Sequence, residues 1–264
     1  MRRILAVHDV SGLGRCGLSV VMPVVSAFSC QVCPLPTALL SASPRFKGFV
    51  MNENPDFEKT LRHYNELKVD FDCIYTGFFA SANQIRILAE FIKRRKAVKP
   101  VLVIVDPVMG DHGQLYKVVS LEQVLEMKNL AGLAEIITPN ITEGKFLLDK
   151  NMEPDKILVS LAERYPRSDI ILKKVALENG HAANMLYSQS TKKITLDGYP
   201  LLPTEYPGSG DLFASIFIGR LLRGSSRENA FVSAGFDTFT VIRRTLEAGS
   251  PPEHGLEFEG LTTV

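Results

Sequence analysis

The sequence lacks the features that mark membrane, secreted and nucleic-acid-binding proteins. No apolar run reaches the roughly 18 residues of a membrane-spanning helix. The apolar run near the start, Ile4 to Val7, is too short for the core of a signal peptide. The net charge of +1 gives no electrostatic reason to expect binding to nucleic acid or to a membrane surface. We therefore expect a cytoplasmic protein with neither kind of partner.

Several familiar site motifs are also missing or incomplete. Cys30 and Cys33 have metal or redox spacing, but no second cysteine pair or paired-histidine motif completes a zinc site, so we interpret the four cysteines as structural. The chain contains neither a P-loop nor the Gly-x-Ser-x-Gly elbow of serine hydrolases. Residues 12–17 match the dinucleotide pattern Gly-x-Gly-x-x-Gly, but residues 31–40 contain no acidic residue to bind a ribose, which argues against NAD.

Short apolar runs alternate with amphipathic helical patterns along the chain, which predicts an α/β fold with a parallel sheet covered by helices. No linker or composition break indicates a second domain, so residues 1–264 are expected to form one domain with a loose tail from about residue 249. The predicted extended segments are 3–7, 31–40, 73–76, 101–105, 134–137 and 170–172, with an antiparallel pair at 184–187 and 193–196. The predicted helices are 18–28, 57–67, 82–96, 121–130, 142–148, 155–165, 211–222 and 227–247.

Polar, acidic and glycine residues follow the predicted strands, where ligands bind in open α/β sheets. Three of them, Asp106, Asp111 and Glu143, are carboxylates at neighbouring strand ends. Hard oxygen ligands suit Mg²⁺, which binds through few carboxylates together with phosphates. The alternative is that Asp111 caps a turn and Glu143 lies in the first turn of its helix.

Gly208-Ser-Gly-Asp211 stands directly before an apolar helical run. One interpretation is a turn with a helix N-cap. The other is an anion site, in which backbone N–H groups approach a phosphate at the positive end of a helix dipole. Asp211 would then be the general base for an acceptor hydroxyl, and the N–H groups would stabilise charge on a transferring phosphoryl group. With the carboxylates opposite, this combination is typical of a small-molecule kinase.

Three segments in this order, Val105–Asp111, Thr138–Glu143 and Gly208–Phe213, resemble the signatures of the ribokinase-like superfamily. The most similar branch is that of the pyridoxal kinases and hydroxymethylpyrimidine phosphate kinases. The resemblance runs from about Ile4 to Thr245. It implies an αβα sandwich with a mostly parallel central sheet, usually assembled as a homodimer. It also implies ATP-dependent phosphorylation of the 5′-hydroxymethyl group of pyridoxal, pyridoxine or pyridoxamine, with Mg²⁺ and possibly K⁺ as cations.

The resemblance further implies a role for each matching residue. Asp211 is the expected general base, in an anion hole formed by Gly208, Ser209 and Gly210. The expected ATP-binding residues are Asp106, Asp111, Thr138, Asn140, Glu143, Lys173 and Lys174, of which Asp106 and Glu143 also hold the metal. The expected substrate-binding residues are Asp9, Ser43, Gly77 and Phe78.

The chain departs from the pyridoxal kinase pattern in three places. Residues 40–46 lack the His and Thr that usually cover the ring. Lys173-Lys174 stands where a Thr usually helps to hold a monovalent cation, so we hypothesise that one ammonium replaces that cation or contacts phosphate; the alternative is a solvated pair. The loop before Asp211 has no cysteine, so the thiohemiacetal by which some family members trap pyridoxal there is not expected.

Other functions stay open at this stage. A hydroxymethylpyrimidine kinase of thiamine synthesis is favoured by Asp9 and by Lys173, whereas residues 105–116 favour a pyridoxal kinase. A non-catalytic vitamin-binding protein on the same fold has no need of Asp211 and Glu143. A sugar kinase is disfavoured because the N-terminal region is short and leaves little room for a separate lid over a sugar.

Overall fold

The computed structural model describes residues 1–261 of the chain, and its largest element is a nine-stranded sheet. Two further short strands, β6 and β7, pair with each other as a separate hairpin. The strands in chain order are β1 (Arg2–Leu13), β2 (Cys30–Ala42), β3 (Met51–Glu53), β4 (Cys73–Thr76), β5 (Leu102–Val105), β6 (Gly110–Asp111), β7 (Gln114–Leu115), β8 (Ile136–Ile137), β9 (Asp169–Ala176), β10 (His181–Tyr187) and β11 (Ile194–Pro200).

Eight α-helices connect or cover the strands in residues 1–261. None of these helices is both long enough and apolar enough to cross a membrane. The helices are α1 (Leu18–Ala27), α2 (Phe57–Glu66), α3 (Ala82–Val98), α4 (Leu121–Ala131), α5 (Ile141–Leu148), α6 (Pro154–Arg164), α7 (Ser209–Leu222) and α8 (Arg227–Glu247).

The sheet is mostly parallel, as the βα alternation predicts. Its strand order is β11-β10-β9-β8-β5-β4-β1-β2-β3. The inner strands β2, β1, β4, β5, β8 and β9 run parallel, while β3, β10 and β11 pair antiparallel at the two edges. The chain leaves β1 towards β2 on one side and later returns through β4 on the other. The carboxyl ends of β1 and β4 therefore lie at a topological switch point, where open α/β sheets bind ligands.

Alternating side chains of β1 explain why helices cover both faces of the sheet. Leu5 and Val7 are completely buried on the face that packs against α2 to α6, and Ile4 and Ala6 are completely buried on the face that packs against α1, α7 and α8. A strand that buries both faces must carry apolar residues in succession rather than in alternation. The predicted αβα sandwich is thus confirmed.

Strand β1 extends beyond its predicted end. The sequence predicts a strand at residues 3–7 followed by a loop, but the backbone stays paired with β2 as far as Leu13, with an irregularity between His8 and Val10. Gly12 lies within the strand, and a Cβ there would come within 2.9 Å of the Ser41 carbonyl oxygen. The glycine permits this close approach of the two backbones, which local sequence patterns do not reveal.

The tail is packed as far as the structure describes it, in contrast to the loose segment that its composition predicts. Leu256 and Phe258 are buried among the apolar residues of α1, α7 and α8. The Arg15 backbone N–H donates to the His254 carbonyl at 3.2 Å, and the Arg15 side chain pairs with Glu259 at 2.6 Å. Two buried side chains outweigh the flexibility expected from nearby Gly, Pro and Glu, and the tail supports the loop after β1.

Candidate active site

The N-terminus of α7 has the geometry of an anion site. Gly208 adopts the left-handed conformation with φ of 79°, and a Cβ at this position would lie 2.0 Å from the Arg15 carbonyl oxygen. Only glycine fits both conditions. The Leu212 N–H donates to the Gly208 carbonyl at 2.8 Å, so the N–H groups of Ser209, Gly210 and Asp211 precede this first helical bond. Such groups face outward at the positive end of the helix dipole.

Asp211 is a buried carboxyl group in the first turn of α7. Its Oδ2 accepts a hydrogen bond of 2.8 Å from the Gly17 backbone N–H, and its side chain is only 14% exposed. The pKa of Asp211 is raised to about 7, mainly by burial; the Asp9 and Asp106 carboxylates contribute to this increase, while the Gly17 N–H and Lys173 oppose it. A carboxylate with a pKa near neutral pH is well suited to accept a proton from a hydroxyl group.

The glycine-rich loop after β1 supports Asp211. Gly17 has φ of 59°, and a Cβ there would lie 2.4 Å from the Asp9 carbonyl oxygen and 3.0 Å from the Asp9 carboxyl. The loop therefore brings the Gly17 N–H to Asp211 and places Asp9 beside it. Asp9 accepts a hydrogen bond of 3.3 Å from the Ser11 hydroxyl, and burial raises its pKa to about 6. Gly17 of the Gly-x-Gly-x-x-Gly pattern is thus required by its close contact with Asp9.

Lys173 and Asp106 form a buried ion pair beside the anion site. The Lys173 ammonium donates to both Asp106 oxygens, at 2.8 and 2.9 Å, and the two side chains are only 15% and 2% exposed. A Cβ on Gly210 would lie 3.3 Å from the same ammonium. Burial lowers the pKa of Lys173, but the Asp106 and Glu143 carboxylates outweigh this effect and raise it above its usual value. A cationic Lys173 thus stands next to the free N–H groups of α7.

Asn140 and Glu143 form a reciprocal cap at the start of α5. The Asn140 side chain accepts from the Glu143 N–H, and Glu143 Oε2 accepts from the Asn140 N–H, both at 2.8 Å. The capping alternative therefore describes the geometry correctly, yet Glu143 is only 2% exposed. Burial raises the pKa of Glu143 to about 8; Lys173 opposes the shift and Asp106 adds to it. The carboxyl groups of Asp106 and Glu143 are thus buried near a single ammonium, that of Lys173. Their oxygens could therefore bind a further cation that prefers oxygen ligands.

The remaining predicted phosphate-side residues lie around this pair. Thr138 directly follows β8 and is completely buried, and its hydroxyl has no hydrogen-bond partner within the described residues. The Asn140 side-chain amide donates to the Gly110 carbonyl at 2.9 Å and holds the β6–β7 hairpin against α5. Asp111, at the end of β6, is half-buried and accepts from the His112 N–H at 2.8 Å. The structure thus brings Asp106, Asn140, Glu143 and Lys173 into one cluster, with Asp111 at its edge.

Comparison with known proteins identifies the family. The sequence model for phosphomethylpyrimidine kinase matches residues 24–255. The chain belongs to the phosphomethylpyrimidine kinase family. This membership confirms the resemblance to the ribokinase-like superfamily and its pyridoxal and hydroxymethylpyrimidine kinase branch.

Individual members of the family agree with this placement. A candidate phosphomethylpyrimidine kinase from Bacteroides thetaiotaomicron, crystallised with pyridoxal, is 35% identical, with a TM-score of 0.91 over 98% of this chain and 93% of that one. A pyridoxine/pyridoxal/pyridoxamine kinase of Bordetella avium is 28% identical over 86% of this chain and 80% of its own length. Pyridoxal kinase from Leishmania donovani, in complex with ADP and pyridoxamine, shares the fold at 18% identity, with a TM-score of 0.89 over 99% and 95% of the two chains.

Lys174 differs from Lys173 in its surroundings. It has a left-handed backbone (φ 57°), its side chain is 46% exposed, and it forms an ion pair with Glu205. Glu205 belongs to the segment that joins β11 to α7 (residues 201–208). Its Oε2 also lies 3.2 Å from His112 Nε2. Among the described residues, Asp111, His112 and Glu205 lie close enough to share a metal ion, a set different from the predicted Asp106 and Glu143.

The predicted substrate residues lie at the ends of β1, β2 and β4. Gly77 follows β4, and its N–H donates to the Val7 carbonyl at 2.9 Å. Phe78 is half-buried, and its carbonyl accepts from the Thr37 hydroxyl at 2.9 Å. Ser43 is completely buried next to Gly14, where a Cβ would lie 2.8 Å from the Ser43 Cβ. The three residues belong to the switch-point edge of the sheet.

The fold places two further residues, His8 and Cys16, near Asp211, although no motif gave either of them a role in the site. His8 is only 1% exposed, its Nδ1 lies 3.7 Å from Asp211 Oδ1, and neither ring nitrogen has a hydrogen-bond partner within the described residues. Burial lowers the pKa of His8 to about 3, so the ring is neutral. The Cys16 thiol donates to the Ser11 hydroxyl at 3.0 Å; burial, with Asp9 nearby, raises its pKa to about 12. The signal for His8 was its register: it shares the Ile4 and Ala6 face of β1, which packs against α7.

Proposed function

We propose that this protein is an ATP-dependent kinase that phosphorylates the 5′-hydroxymethyl group of pyridoxal, pyridoxine or pyridoxamine. The observation that carries the proposal is the position of Asp211. Its carboxyl group has a pKa of about 7 and lies at a helix N-terminus whose first N–H groups are free, and the Lys173 ammonium lies beside Gly210 in the same turn. A base beside an anion site is what transfer of a phosphoryl group to a hydroxyl requires.

Each residue then has a defined part in the reaction. Asp211 removes the proton from the substrate hydroxyl as the hydroxyl oxygen forms a bond to the γ-phosphorus of ATP. The bond from that phosphorus to the leaving ADP oxygen breaks in the same displacement. The N–H groups of Ser209, Gly210 and Asp211, together with the Lys173 ammonium, stabilise the charge on the transferring group.

Mg²⁺ belongs to the same proposal. Asp106 and Glu143 would hold it, because both are buried carboxylates in a cluster short of positive charge. When bound with ATP, the metal ion would supply neutralisation of phosphate charge. Asn140 fixes Glu143, and Thr138 and Asp111 complete the expected phosphate side of the site.

The monovalent cation of related kinases is replaced in this proposal by Lys173. Its ammonium is fixed by both oxygens of Asp106 and needs no ion from solution to supply positive charge beside the anion site. We therefore expect activity to stay within about twofold when K⁺ is replaced by a large organic cation at constant ionic strength, since a buried pair is screened little by salt. Strong activation by K⁺ would contradict this part of the proposal.

A hydroxymethylpyrimidine is the second candidate substrate. Asp9 favours it, because a buried carboxyl beside Asp211 offers an acceptor for an amino group on the ring. The family description points in the same direction. A vitamin-binding protein without activity is disfavoured, since binding alone gives no reason to bury the Asp211 carboxyl at a cost in stability.

The test of the proposed base is Asp211→Asn. We expect turnover to fall by about 10²–10⁴-fold, as is usual for loss of a general base, while Mg²⁺-ATP binding by calorimetry changes little. Retained turnover in the variant would exclude Asp211 as the base. The expected homodimer and the cytoplasmic location also stay predictions, and sedimentation equilibrium at several protein concentrations tests the first.

A further inference from the structure

We propose that His8 is a positioning residue, whose Nδ1–H donates a hydrogen bond to Asp211 Oδ1 and fixes the carboxylate that accepts the substrate proton. This inference rests on the proposed function and adds to it a residue outside the family motifs at residues 105–111, 138–143 and 208–213. It concerns a side chain that touches the base, not one that touches the substrate.

The first observation is the unused hydrogen-bonding capacity of a buried ring. His8 is 1% exposed, and neither of its nitrogens has a partner within residues 1–261. A buried polar group without a partner is costly and therefore rare, which points to a partner acquired in another state. The Asp211 oxygen lies 3.7 Å from His8 Nδ1, slightly beyond hydrogen-bond distance. Catalytic hydrogen bonds are often long in the free enzyme and shorten in the substrate complex.

The second observation is that the imidazole is held in place from two sides. A Cβ on Gly77 would lie 2.1 Å from His8 Nδ1, so only glycine at position 77 leaves room for the ring. On another side, the ring centroid lies 4.4 Å from that of Tyr75, which is completely buried. A ring confined in this way presents Nδ1 to Asp211 with little rotational freedom to lose.

The third observation is how the two oxygens of the carboxylate are shared. Oδ2 accepts from the Gly17 N–H at 2.8 Å, and His8 Nδ1 is the polar atom beside Oδ1. The other charged groups that act on Asp211 are the carboxylates of Asp9 and Asp106, which oppose its ionisation, and Lys173, which favours it. His8 is neutral because it is buried, so it serves as a donor without adding a charge. A neutral donor orients the base while leaving it basic enough to take a proton.

The test compares three substitutions that separate this hydrogen bond from packing. His8→Asn places an amide N–H close to where Nδ1 stands, His8→Gln places one closer to Nε2, and His8→Leu keeps volume without a donor. Loss of the donor destabilises the Asp211 carboxylate relative to its protonated form, so the acidic limb of the kcat profile should move to higher pH. We expect a shift of about one pH unit in His8→Leu and His8→Gln, and less than about 0.3 unit in His8→Asn.

Val7→Ala is the matched control. Val7 precedes His8 on β1, is completely buried on the opposite face of the sheet, and leaves Asp211 untouched when shortened. This variant should unfold at a lower temperature with the acidic limb unmoved. An unmoved limb in His8→Leu, or equal shifts in His8→Leu and His8→Asn, would overturn the proposal, because packing alone would then explain His8.

A measurement without turnover separates this inference from the proposed function. Nitrogen-15 NMR of histidine-labelled protein distinguishes the ring tautomers, and His8→Asn assigns the His8 signals among those of the five histidines. The proposal requires a proton on Nδ1 at pH 8, where Asp211 is ionised. A proton on Nε2 at that pH would refute it, whether or not the protein phosphorylates any compound. Absence of turnover in the wild-type protein, with the proton on Nδ1, would instead count against the proposed function alone.

Discussion

Replacing the proposed base by Asn should stabilise the protein while turnover falls by about 10²–10⁴-fold. Burial raises the pKa of Asp211 from its ordinary value of 3.8 to about 7. At pH values between these two, the unfolded chain carries an ionised Asp211 and the folded chain a protonated one. The free energy of unfolding is therefore not reduced by Asp211 at low pH, and it falls as the pH rises towards 7. Asp211→Asn prevents this fall because an amide does not ionise, and the amide oxygen still accepts from the Gly17 N–H.

The size of the effect follows from the pKa difference. The gap in unfolding free energy between Asp211→Asn and wild type should grow by about 1.4 kcal/mol per pH unit between about pH 4 and 7. It should reach about 4 kcal/mol at pH 8 and be about 1.5 kcal/mol at pH 5. Comparing two pH values cancels any constant difference between an amide and a protonated carboxyl.

Urea unfolding at pH 5, 6.5 and 8 measures this gap directly, with linear extrapolation to water. Glu163→Gln is the control, because Glu163 is exposed on α6 and has no burial cost to relieve. Its effect should be small and should not widen between pH 5 and pH 8. A gap for Asp211→Asn that stays constant over this range would refute the reasoning, since Asp211 would then ionise as freely in the folded protein as in the unfolded one.

Four further substitutions test the packing of the site. Gly208→Ala forces a left-handed alanine against the Arg15 carbonyl, so we expect a loss of about 2 kcal/mol or more in urea unfolding together with loss of turnover. Lys173→Met leaves Asp106 buried without a partner and should cost about 3–5 kcal/mol, whereas Lys174→Met breaks an exposed pair and should cost less than about 1 kcal/mol; equal costs would contradict the difference in burial. Gly77→Ala should displace His8, cost about 1–3 kcal/mol and move the acidic limb of the kcat profile upward as His8→Leu does.

Local patterns were sufficient where an element is defined by its own residues. Strand β4 and helix α8 have the predicted bounds, 73–76 and 227–247. The β4 run is short, apolar and followed by glycine, and α8 starts after Ser226, whose side chain accepts from the Asn229 N–H. The positions of the site residues could also be predicted, because the carboxyl ends of parallel strands meet at one edge of the sheet.

What could not be predicted depends on contacts between distant parts of the chain. The extension of β1 to Leu13 requires pairing with β2, and the docking of Leu256 requires the apolar surface that α1, α7 and α8 form together. Lys173 and Lys174 could not be distinguished from the sequence, yet Lys173 pairs with a buried Asp106 and Lys174 with an exposed Glu205. His8 comes directly after the predicted strand at residues 3–7, so the local pattern placed it in a loop, and only its register with Ile4 and Ala6 indicates that it faces α7.

The most direct test of the proposed activity is ADP release with Mg²⁺-ATP and four acceptors side by side: pyridoxal, pyridoxine, pyridoxamine and hydroxymethylpyrimidine. We expect turnover of at least one vitamin B6 form and a fall in that turnover of about 10²–10⁴-fold in Asp211→Asn. Turnover of the pyrimidine alone would assign the protein to thiamine synthesis and make Asp9 and Ser43 the residues to vary. Absence of turnover with all four would contradict the proposed function.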